Sequence, residues 1–259
     1  MMAFWALWKR EVIKFLFDRG RMGGALAQPL LFWLLLGLGF QGSFRLPENR
    51  ELSFLTFLFP GMLLLVVVFT AIFSTVSIVE EKRSGFFQAA LVAPISRWWL
   101  VLGNVAGGTT LGVIQSLLFL VIMPFVGIPF SLLGIATALL ICAILGLTFG
   151  SLGFVMAWRV QSTRGFLALM NFFLMPLWML SGAFFPVSGI PEAVRWVVWL
   201  NPVTYGLDAL RVALYGFGQP PVQTLLGFGP SFGVLFLFAC ISLVVARQVV
   251  LKTTIDHSK

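Results

Sequence analysis

The sequence predicts an all-α membrane protein with six transmembrane helices. Of its 259 residues, 59% are hydrophobic and only 10% are charged, and the mean hydropathy is +1.01. The hydrophobic share and the mean hydropathy lie above those of ordinary soluble domains and the charged share lies below, which argues against a soluble protein. At about 20 residues a span, six spans need roughly 120 residues, which leaves short loops within a single membrane domain. We therefore treat residues 1–259 as one domain.

Six apolar runs without Lys, Arg, Asp or Glu supply the predicted spans. In lipid, a run of this length satisfies its backbone N–H and C=O groups only as a helix. The first run is the shortest, so its limits are the least defined. The runs are Ala25 to Phe40, Ser53 to Val79, Leu100 to Val126, Leu132 to Trp158, Phe166 to Phe185 and Leu225 to Ala246.

The distribution of basic residues predicts the orientation. With a cytoplasmic N-terminus, 13 of the 17 Lys and Arg residues fall in segments on the cytoplasmic side, and the whole net charge of +8 lies there. The four basic residues outside are balanced by four acidic ones. This positive-inside bias predicts an even number of spans with both termini in the cytoplasm. It also makes a nucleic-acid-binding surface the poorer explanation of the charge.

The N-terminal segment, residues 1–24, predicts an amphipathic helix lying in the membrane surface. Aromatic and basic residues suit the interfacial layer of a bilayer. The helix is either a lipid anchor or a collar beside a nucleotide-binding partner. Its apolar face holds Phe4, Trp5, Trp8, Val12, Phe15 and Leu16, and the opposite face holds Arg10, Glu11, Lys14 and Asp18.

Residues 80–97, between the second and third runs, are too polar at their start to span a membrane. Pro94 disfavours helix at Ala93 and separates this segment from the third span. The sequence predicts a short cytoplasmic helix with exposed apolar residues. These either fold back on the protein's own spans or enter a groove on a partner.

Residues 186–215 predict short helices that dip into the outer leaflet. Pro186, Pro191 and Pro202 interrupt the segment, and Glu192/Arg195 and Asp208/Arg211 have the i, i+3 spacing of helical ion pairs. A seventh span is the rival interpretation. It would bury these charges in lipid and place the basic C-terminal tail outside.

Several chemical motifs are missing from the sequence. No lysine follows a glycine, so the chain has no Walker A site for ATP. The apolar runs contain no acidic or basic residue, which weakens a carrier driven by protons or ions. His257 is the single histidine, which argues against intramembrane hydrolysis. We predict no bound cofactor or metal, and we interpret Cys142 and Cys240 as packing residues.

Three glycine pairs in the spans have the G-x-x-x-G spacing that allows close helix packing. We expect this packing to occur inside one subunit rather than at a dimer interface. The pairs are Gly103/Gly107, Gly108/Gly112 and Gly146/Gly150.

The segment from Glu80 to Arg97 resembles the cytoplasmic coupling helix of type-2 ABC exporter permeases. That helix has an acidic-basic start, a glycine, an apolar stretch and a Pro-(Val/Ile)-Ser-Arg ending. Gln88 departs from the family, which often has an acidic residue there. The matching residues are Glu81, Lys82, Gly85, Leu91, Pro94, Ile95, Ser96 and Arg97.

A second match covers the family's outer re-entrant region, so the resemblance extends over nearly the whole chain. The residues run from Ser181 to Pro186 and from Asn201 to Arg211. The structural candidates in this region are Asn201, Pro202, Tyr205, Asp208 and Arg211. We expect Asp208 and Arg211 to form a structural pair in a partly buried helix.

The resemblance implies an ATP-driven exporter permease that lacks its own ATPase. ABC ATPase subunits, two copies in the expected complex, would bind ATP and Mg and press on the coupling helix. The permease would form a homodimer, or pair with a related permease, in the inner (plasma) membrane of a prokaryote. The expected coupling residues are Glu80, Glu81, Lys82, Gly85, Phe86, Phe87, Gln88, Leu91 and Pro94.

The resemblance also implies a substrate pathway at the dimer interface, between the first, second and fifth spans. Asn171 and Ser181 either line it or form helix-to-helix hydrogen bonds, and Pro176 is expected to kink the fifth span. A hydrophobic or amphipathic drug or lipid is the expected cargo, as in multidrug-resistance permeases. A lipid-linked glycan exporter of the same family, a secondary carrier and a membrane scaffold remain as alternatives.

Overall fold

The computed structural model describes residues 1–17, 19–40, 42, 52–85, 96–189, 191–217, 222 and 224–256, and within these ranges it leaves aside the side chains of residues 19–26, 28, 188 and 253–256. All regular structure in these ranges is helical. Short 3₁₀ turns lie at Met123–Val126 and Val187–Gly189, and a π-helical turn lies at Met179–Ala183. The helices are α1 (Met2–Phe17), α2 (Arg19–Phe40), α3 (Phe54–Ser74), α4 (Val76–Arg83), α5 (Arg97–Leu120), α6 (Leu132–Arg159), α7 (Thr163–Trp178), α8 (Glu192–Leu200), α9 (Pro202–Tyr215) and α10 (Phe228–Asp256).

Five helical segments in the described ranges are long and apolar enough to cross a membrane, and they correspond to the second to sixth predicted spans. The first predicted span lies in α2, Arg19–Phe40, in which Pro29–Phe40 is the apolar stretch whose side chains are described throughout. The all-α membrane fold is therefore confirmed, and the sixth crossing stays a prediction. The five segments are Phe54–Arg83, Arg97–Leu120, Leu132–Arg159, Thr163–Ala183 and Phe228–Lys252.

Helix α3 is the centre of the bundle. It is buried on nearly all sides by α2, α5, α6 and α9. A helix can be buried in this way only if it is apolar all round, as the run from Phe57 to Val68 is. The side chain of Ser53 caps its start by accepting a hydrogen bond from the N–H of Leu55 at 3.2 Å.

The glycine pairs pack inside the subunit, as predicted. A Cβ atom on Gly107 would lie 2.6 Å from the Cβ of Glu11 in α1. On another face of α5, a Cβ atom on Gly108 would lie 2.0 Å from the hydroxyl oxygen of Ser74 in α3. Real Cβ atoms do not approach other atoms so closely, so both contacts require glycine. Gly146 and Gly150 of α6 face α5 in the same way.

The predicted polar face of α1 needs a correction at Glu11. Phe15 is buried, as expected, but Glu11 is buried as well, although it was placed on the polar face. Trp5 and Leu16, placed on the apolar face, are 59% and 49% exposed, so they have no cover from the described protein, and the predicted contact of this face with lipid stays a prediction. Glu11 is buried because α5 presents Gly107 to α1, and the small glycine admits the stem of Glu11 at this contact.

The start of the predicted cytoplasmic helix also needs a correction. Residues Glu80 to Arg83 do not open a new helix, because they form the last turn of α4 and complete the Phe54–Arg83 segment. Gly85 follows with φ = +78°, a left-handed conformation that suits the residue after a helix end. Residues 86–95 lie outside the described ranges.

Candidate functional site

Two polar clusters lie at opposite ends of the Phe54–Arg83 segment. This segment has 30 residues and, at 1.5 Å per residue, is about 45 Å long. The Glu81 cluster comprises Arg10, Glu11, Lys14, Ser77, Glu81 and Asn104. The α9 cluster, near Phe57, comprises Asn201, Tyr205, Asp208, Arg211 and Tyr215. Most of the predicted site residues that the structure describes belong to, or adjoin, one of the two.

Glu81 joins α4 to α1 through two cations. Its carboxylate oxygens lie 2.9 Å from Arg10 Nη2 and 2.5 Å from Lys14 Nζ. The Glu81 side chain is only 9% exposed, whereas that of Lys14 is 46% exposed. A buried carboxylate requires such partners, because an unpaired charge is costly away from water.

Arg10 also joins the cluster to α5. Its Nη2 atom lies 3.0 Å from Glu11 Oε1 and 3.3 Å from the side-chain oxygen of Asn104. Asn104 in turn donates to the carbonyl oxygen of Leu100, one turn earlier in α5, at 2.8 Å. One guanidinium therefore contacts groups on α1, α4 and α5.

Glu11 is the most buried acid of this cluster. Ser77 Oγ donates a hydrogen bond to Glu11 Oε2 at 3.0 Å. Burial raises the pKa of the Glu11 carboxyl above its ordinary value, and repulsion from Glu81 adds to the rise, while Arg10 and Lys14 oppose it. The charge state of Glu11 is thus coupled to the ion pairs of Glu81.

Lys82 connects α4 to the end of α6. Its ammonium donates to the carbonyl oxygens of Ala157 at 3.2 Å, of Trp158, and of Val160 at 3.0 Å. The last carbonyl groups of a helix lack intrahelical partners and carry partial negative charge, so a lysine is a suitable cap. Lys82 thus has a structural contact in addition to its predicted coupling role.

The remaining predicted coupling residues divide into two groups. Glu80 is exposed beside the buried Glu81, and Gly85 ends the helical segment. The others lie outside the described residues, so their coupling role stays a prediction. These are Phe86, Phe87, Gln88, Leu91 and Pro94.

The structure does not bring the three predicted pathway residues together. Asn171 is exposed on α7 next to Phe172, which is 73% exposed. Ser181 is buried, and its hydroxyl donates to the carbonyl oxygen of Trp178 at 2.6 Å. Pro176 lies inside α7, which stays helical past it. The departure from helical geometry occurs at Gly182, where φ is +92°.

The first α9 residues fix the joint between α8 and α9. The side chain of Asn201 accepts from the N–H of Val203 at 3.0 Å, which caps α9, and donates to the carbonyl oxygen of Leu177 at 2.6 Å. Pro202 occupies the first helical position, where a missing N–H is harmless. The hydroxyl of Tyr205 donates to the carbonyl oxygen of Trp199 in α8 at 2.6 Å.

Asp208 caps the start of α10. Its carboxylate accepts hydrogen bonds from the N–H groups of Leu225 at 2.7 Å and of Leu226 and Gly227 at 3.0 Å. The hydroxyl of Ser231 donates to it at 2.6 Å. A carboxylate is well suited here because it accepts several hydrogen bonds at once, and so satisfies three N–H groups of the turn that leads into α10 together with a hydroxyl in the first turn of that helix.

Arg211 contacts the π-helical turn rather than Asp208. Its Nη2 atom donates to the carbonyl oxygen of Gly182 at 2.9 Å, and its guanidinium carbon lies 4.8 Å from the centre of the Phe57 ring. Asp208 and Arg211 therefore do not form the expected pair through a direct contact, because each side chain bonds to a different backbone segment; their opposite charges still attract each other at longer range. The exposed Glu192/Arg195 pair is confirmed at 3.6 Å.

Pro60 indicates one contact that was not predicted from the sequence. Pro60 lies inside α3 and has no N–H to donate to the carbonyl oxygen of Thr56, one turn earlier. The hydroxyl of Tyr215 donates to that oxygen instead. A proline inside a buried span therefore predicts a polar partner elsewhere in the chain.

Comparison with known proteins decides the family. The family model for ABC-2 type transporters matches residues 2–215. The chain belongs to the ABC-2 type transporter family. The ABC-2 match confirms the resemblance found in the sequence and identifies the chain as a transport permease subunit. It includes the Glu81 cluster and all five residues of the α9 cluster.

Individual ABC-2 relatives are similar over most of the chain. The inner membrane transport permease YadH of Escherichia coli K12 is 27% identical over 204 residues, covering 77% of this chain and 78% of YadH. Nodulation protein J of Rhizobium leguminosarum bv. viciae is 26% identical over 225 residues, covering 86% of this chain and 83% of the relative. The transport permease ycf38 of Cyanophora paradoxa is 29% identical over 189 residues, 71% of this chain but less than two thirds (64%) of that relative.

Proposed function

We propose that this chain is the membrane-spanning subunit of an ATP-driven exporter that works with separate ATPase subunits. Membership of the ABC-2 transporter family carries the proposal. The missing Gly-Lys dipeptide supports a separate ATPase, which would bind ATP and Mg. The proposed complex contains two ATPase copies and two permease copies, as a homodimer.

The arrangement of the Glu81 cluster supports a coupling role for the end of α4. Residues 86–95, the proposed contact with the ATPase, follow this end directly. Arg10 and Lys14 join the end of α4 to α1, and Lys82 joins it to α6. A displacement of residues 80–85 would therefore move α4 and be transmitted through these contacts to α1 and α6.

The proposed orientation places the Glu81 cluster in the cytoplasm and the α9 cluster outside. The basic residues near the helix ends support it, since Arg10, Lys14, Lys82 and Arg159 lie at the Glu81 end. Both termini are then cytoplasmic. The membrane is proposed to be a prokaryotic inner membrane, which is where the name of the relative YadH, an inner membrane transport permease, places that protein.

The proposed cargo is a hydrophobic or amphipathic molecule, such as a drug or lipid. Spans without acidic or basic residues and the exposed apolar surface of α7 around Phe172 support this class. Charged or strongly polar cargo would leave its polar groups without partners at such a surface. Export of a lipid-linked glycan is the alternative within the same family.

The test is transport by the permease co-expressed with its candidate ATPase, an ABC ATPase sought among the neighbouring genes. Tagged permease should retain the ATPase during purification. Inverted membrane vesicles should accumulate ethidium or a fluorescent phospholipid when ATP is added. An ATPase with its Walker A lysine replaced by alanine is the control and should abolish accumulation. Uptake that needs a proton gradient but no ATPase would refute the proposal and identify a secondary carrier.

A further inference from the structure

The two ends of helix α7 are held in the bundle by different kinds of contact. Its fully buried side chains, Phe166, Met170, Leu174 and Trp178, recur every four residues and form a single stripe. The face next to that stripe is exposed at Asn171 and Phe172. Among the described residues, the part of α7 before Trp178 is therefore held mainly by one apolar ridge.

The end of α7 near the α9 cluster is held by directed hydrogen bonds. The indole N–H of Trp178 donates to the carbonyl oxygen of Gly61 in α3 at 2.7 Å. Asn201 donates to the carbonyl oxygen of Leu177, and Arg211 donates to that of Gly182. These three hydrogen bonds involve three different side chains. Together they hold the indole ring of Trp178 and the carbonyl groups of Leu177 and Gly182, which lie within six consecutive residues.

The contact with α3 at this end is also unusually close. A Cβ atom on Gly61 would lie 2.7 Å from the Cβ of Ala183, so α3 admits the π-helical turn only because residue 61 is glycine. The turn reverses its backbone at Gly182, where φ is +92°. Arg211 bonds to the carbonyl of this same residue, which stabilises a conformation that other residues rarely adopt.

We propose that the end of α7 at Trp178, Gly182 and Ala183 is a fixed pivot, and that the rest of α7 tilts about it during transport. Apolar ridges can slide or tilt with small changes in energy, whereas directed buried hydrogen bonds cannot be lengthened without loss. Trp178 and Arg211 are thereby positioning residues for transport. This inference rests on the proposed function, because it assigns a movement to the ATP-driven cycle.

Geometry gives the size of the expected movement. Leu167 lies 12 residues before Met179, so the two are about 18 Å apart along the helix axis. A tilt of about 10° would move Leu167 by about 3 Å and Met179 by less than about 1 Å. The two positions are 36% and 41% exposed, so both accept a label.

Spin-label distances test the pivot in the complete complex with its ATPase. The reference label sits on Cys240, which is exposed in α10, after replacement of the buried Cys142 by serine. The second label sits on Leu167→Cys or Met179→Cys, and labelled protein is diluted with cysteine-free protein to suppress distances between subunits. We expect the Leu167 distance to change by about 3 Å between the nucleotide-free and vanadate-trapped states, with the Met179 distance unchanged.

A variant that removes one hydrogen bond tests the positioning role. Trp178→Phe keeps an aromatic ring but lacks the N–H that donates to Gly61. It should let the Met179 distance change as well and raise the ATP consumed per ethidium exported by about threefold. Trp196→Phe is the matched control, because Trp196 is exposed on α8, and it should change neither quantity. A merely structural loss would lower transport and ATPase activity in proportion.

Two results would overturn the pivot while leaving the proposed function intact. One is an equal change in the Leu167 and Met179 distances during ATP-dependent ethidium export. The other is a Trp178→Phe complex with the same ATP consumption per ethidium as the Trp196→Phe control. Failure of the proposed function differs, because ethidium export would then show no dependence on ATP in any variant.

Discussion

Glu80 and Glu81 offer a direct test of the ion pairs between α4 and α1. They are adjacent in sequence and equal in charge, but Glu80 is exposed and Glu81 is buried. Glu81→Gln removes the carboxylate that Arg10 and Lys14 share. Glu80→Gln changes the net charge by the same amount and is the matched control.

The structure sets the size of the expected loss. Breaking a fully buried ion pair costs about 3 to 5 kcal/mol, and breaking a surface pair costs about 0 to 1 kcal/mol. The cost of breaking the Glu81 pairs should lie between these limits. Lys14 is 46% exposed and can be solvated by water, and Arg10 would still be paired with Glu11 at 3.0 Å. We expect Glu81→Gln to lower the free energy of unfolding by about 2 kcal/mol and Glu80→Gln to change it by less than about 0.5 kcal/mol.

The assay is thermal or denaturant unfolding of the purified protein in detergent, with a double-mutant cycle. Because Arg10 and Glu81 contact each other, Arg10→Gln and Glu81→Gln together should destabilise less than the sum of the single variants, by at least about 0.5 kcal/mol. Additive losses, or an equal loss for Glu80→Gln, would refute the pairing. Coupling through Glu81 also predicts that Glu81→Gln lowers substrate-stimulated ATPase activity more than Glu80→Gln does.

Three further predictions concern stability and are checked by the same unfolding assay. Asp208→Asn should destabilise by about 2 kcal/mol, because one amide oxygen cannot replace a carboxylate that accepts four hydrogen bonds; an effect under about 0.5 kcal/mol would contradict the cap. Gly107→Ala should loosen α1 and destabilise by about 1 to 3 kcal/mol, whereas Gly39→Ala, which meets no atom within 4 Å, should not. Glu11 has a pKa raised above 4.5, so the stability from its bound proton is present at low pH and is lost as the pH rises through the raised pKa. Glu11→Gln should therefore gain stability relative to the unmodified protein as the pH rises from 4.5 through the raised pKa, and a constant difference would argue against burial of the charge.

The sequence predicted the elements whose cause is local. Uncharged runs gave five helical spans, because lipid accepts no unpaired backbone group. The prolines and polar residues around Asn201 predicted the short helices α8 and α9, and the glycine pairs predicted close packing inside the subunit. The first predicted span lies in α2, where side chains are described without a break only over Pro29–Phe40, so this crossing stays a prediction.

The partners of the polar residues could not be predicted, because they come from distant parts of the chain. Glu11 is buried only because Gly107 in α5 leaves room for it, and neither residue reveals this alone. Asp208 and Arg211 have the spacing of an ion pair, yet the start of α10 and the turn at Gly182 provide better partners. Spacing along a helix identifies possible neighbours, but burial decides which bonds form.

The contact of Lys82 with α6 would affect how a mechanical force is distributed within the bundle. Its ammonium belongs to α4, and the three carbonyl groups that it contacts close α6. The two spans therefore end at the same depth and share one attachment. A force applied just after Arg83 would be divided between them at its point of entry, so the centre of the bundle would be displaced as a block rather than helix by helix.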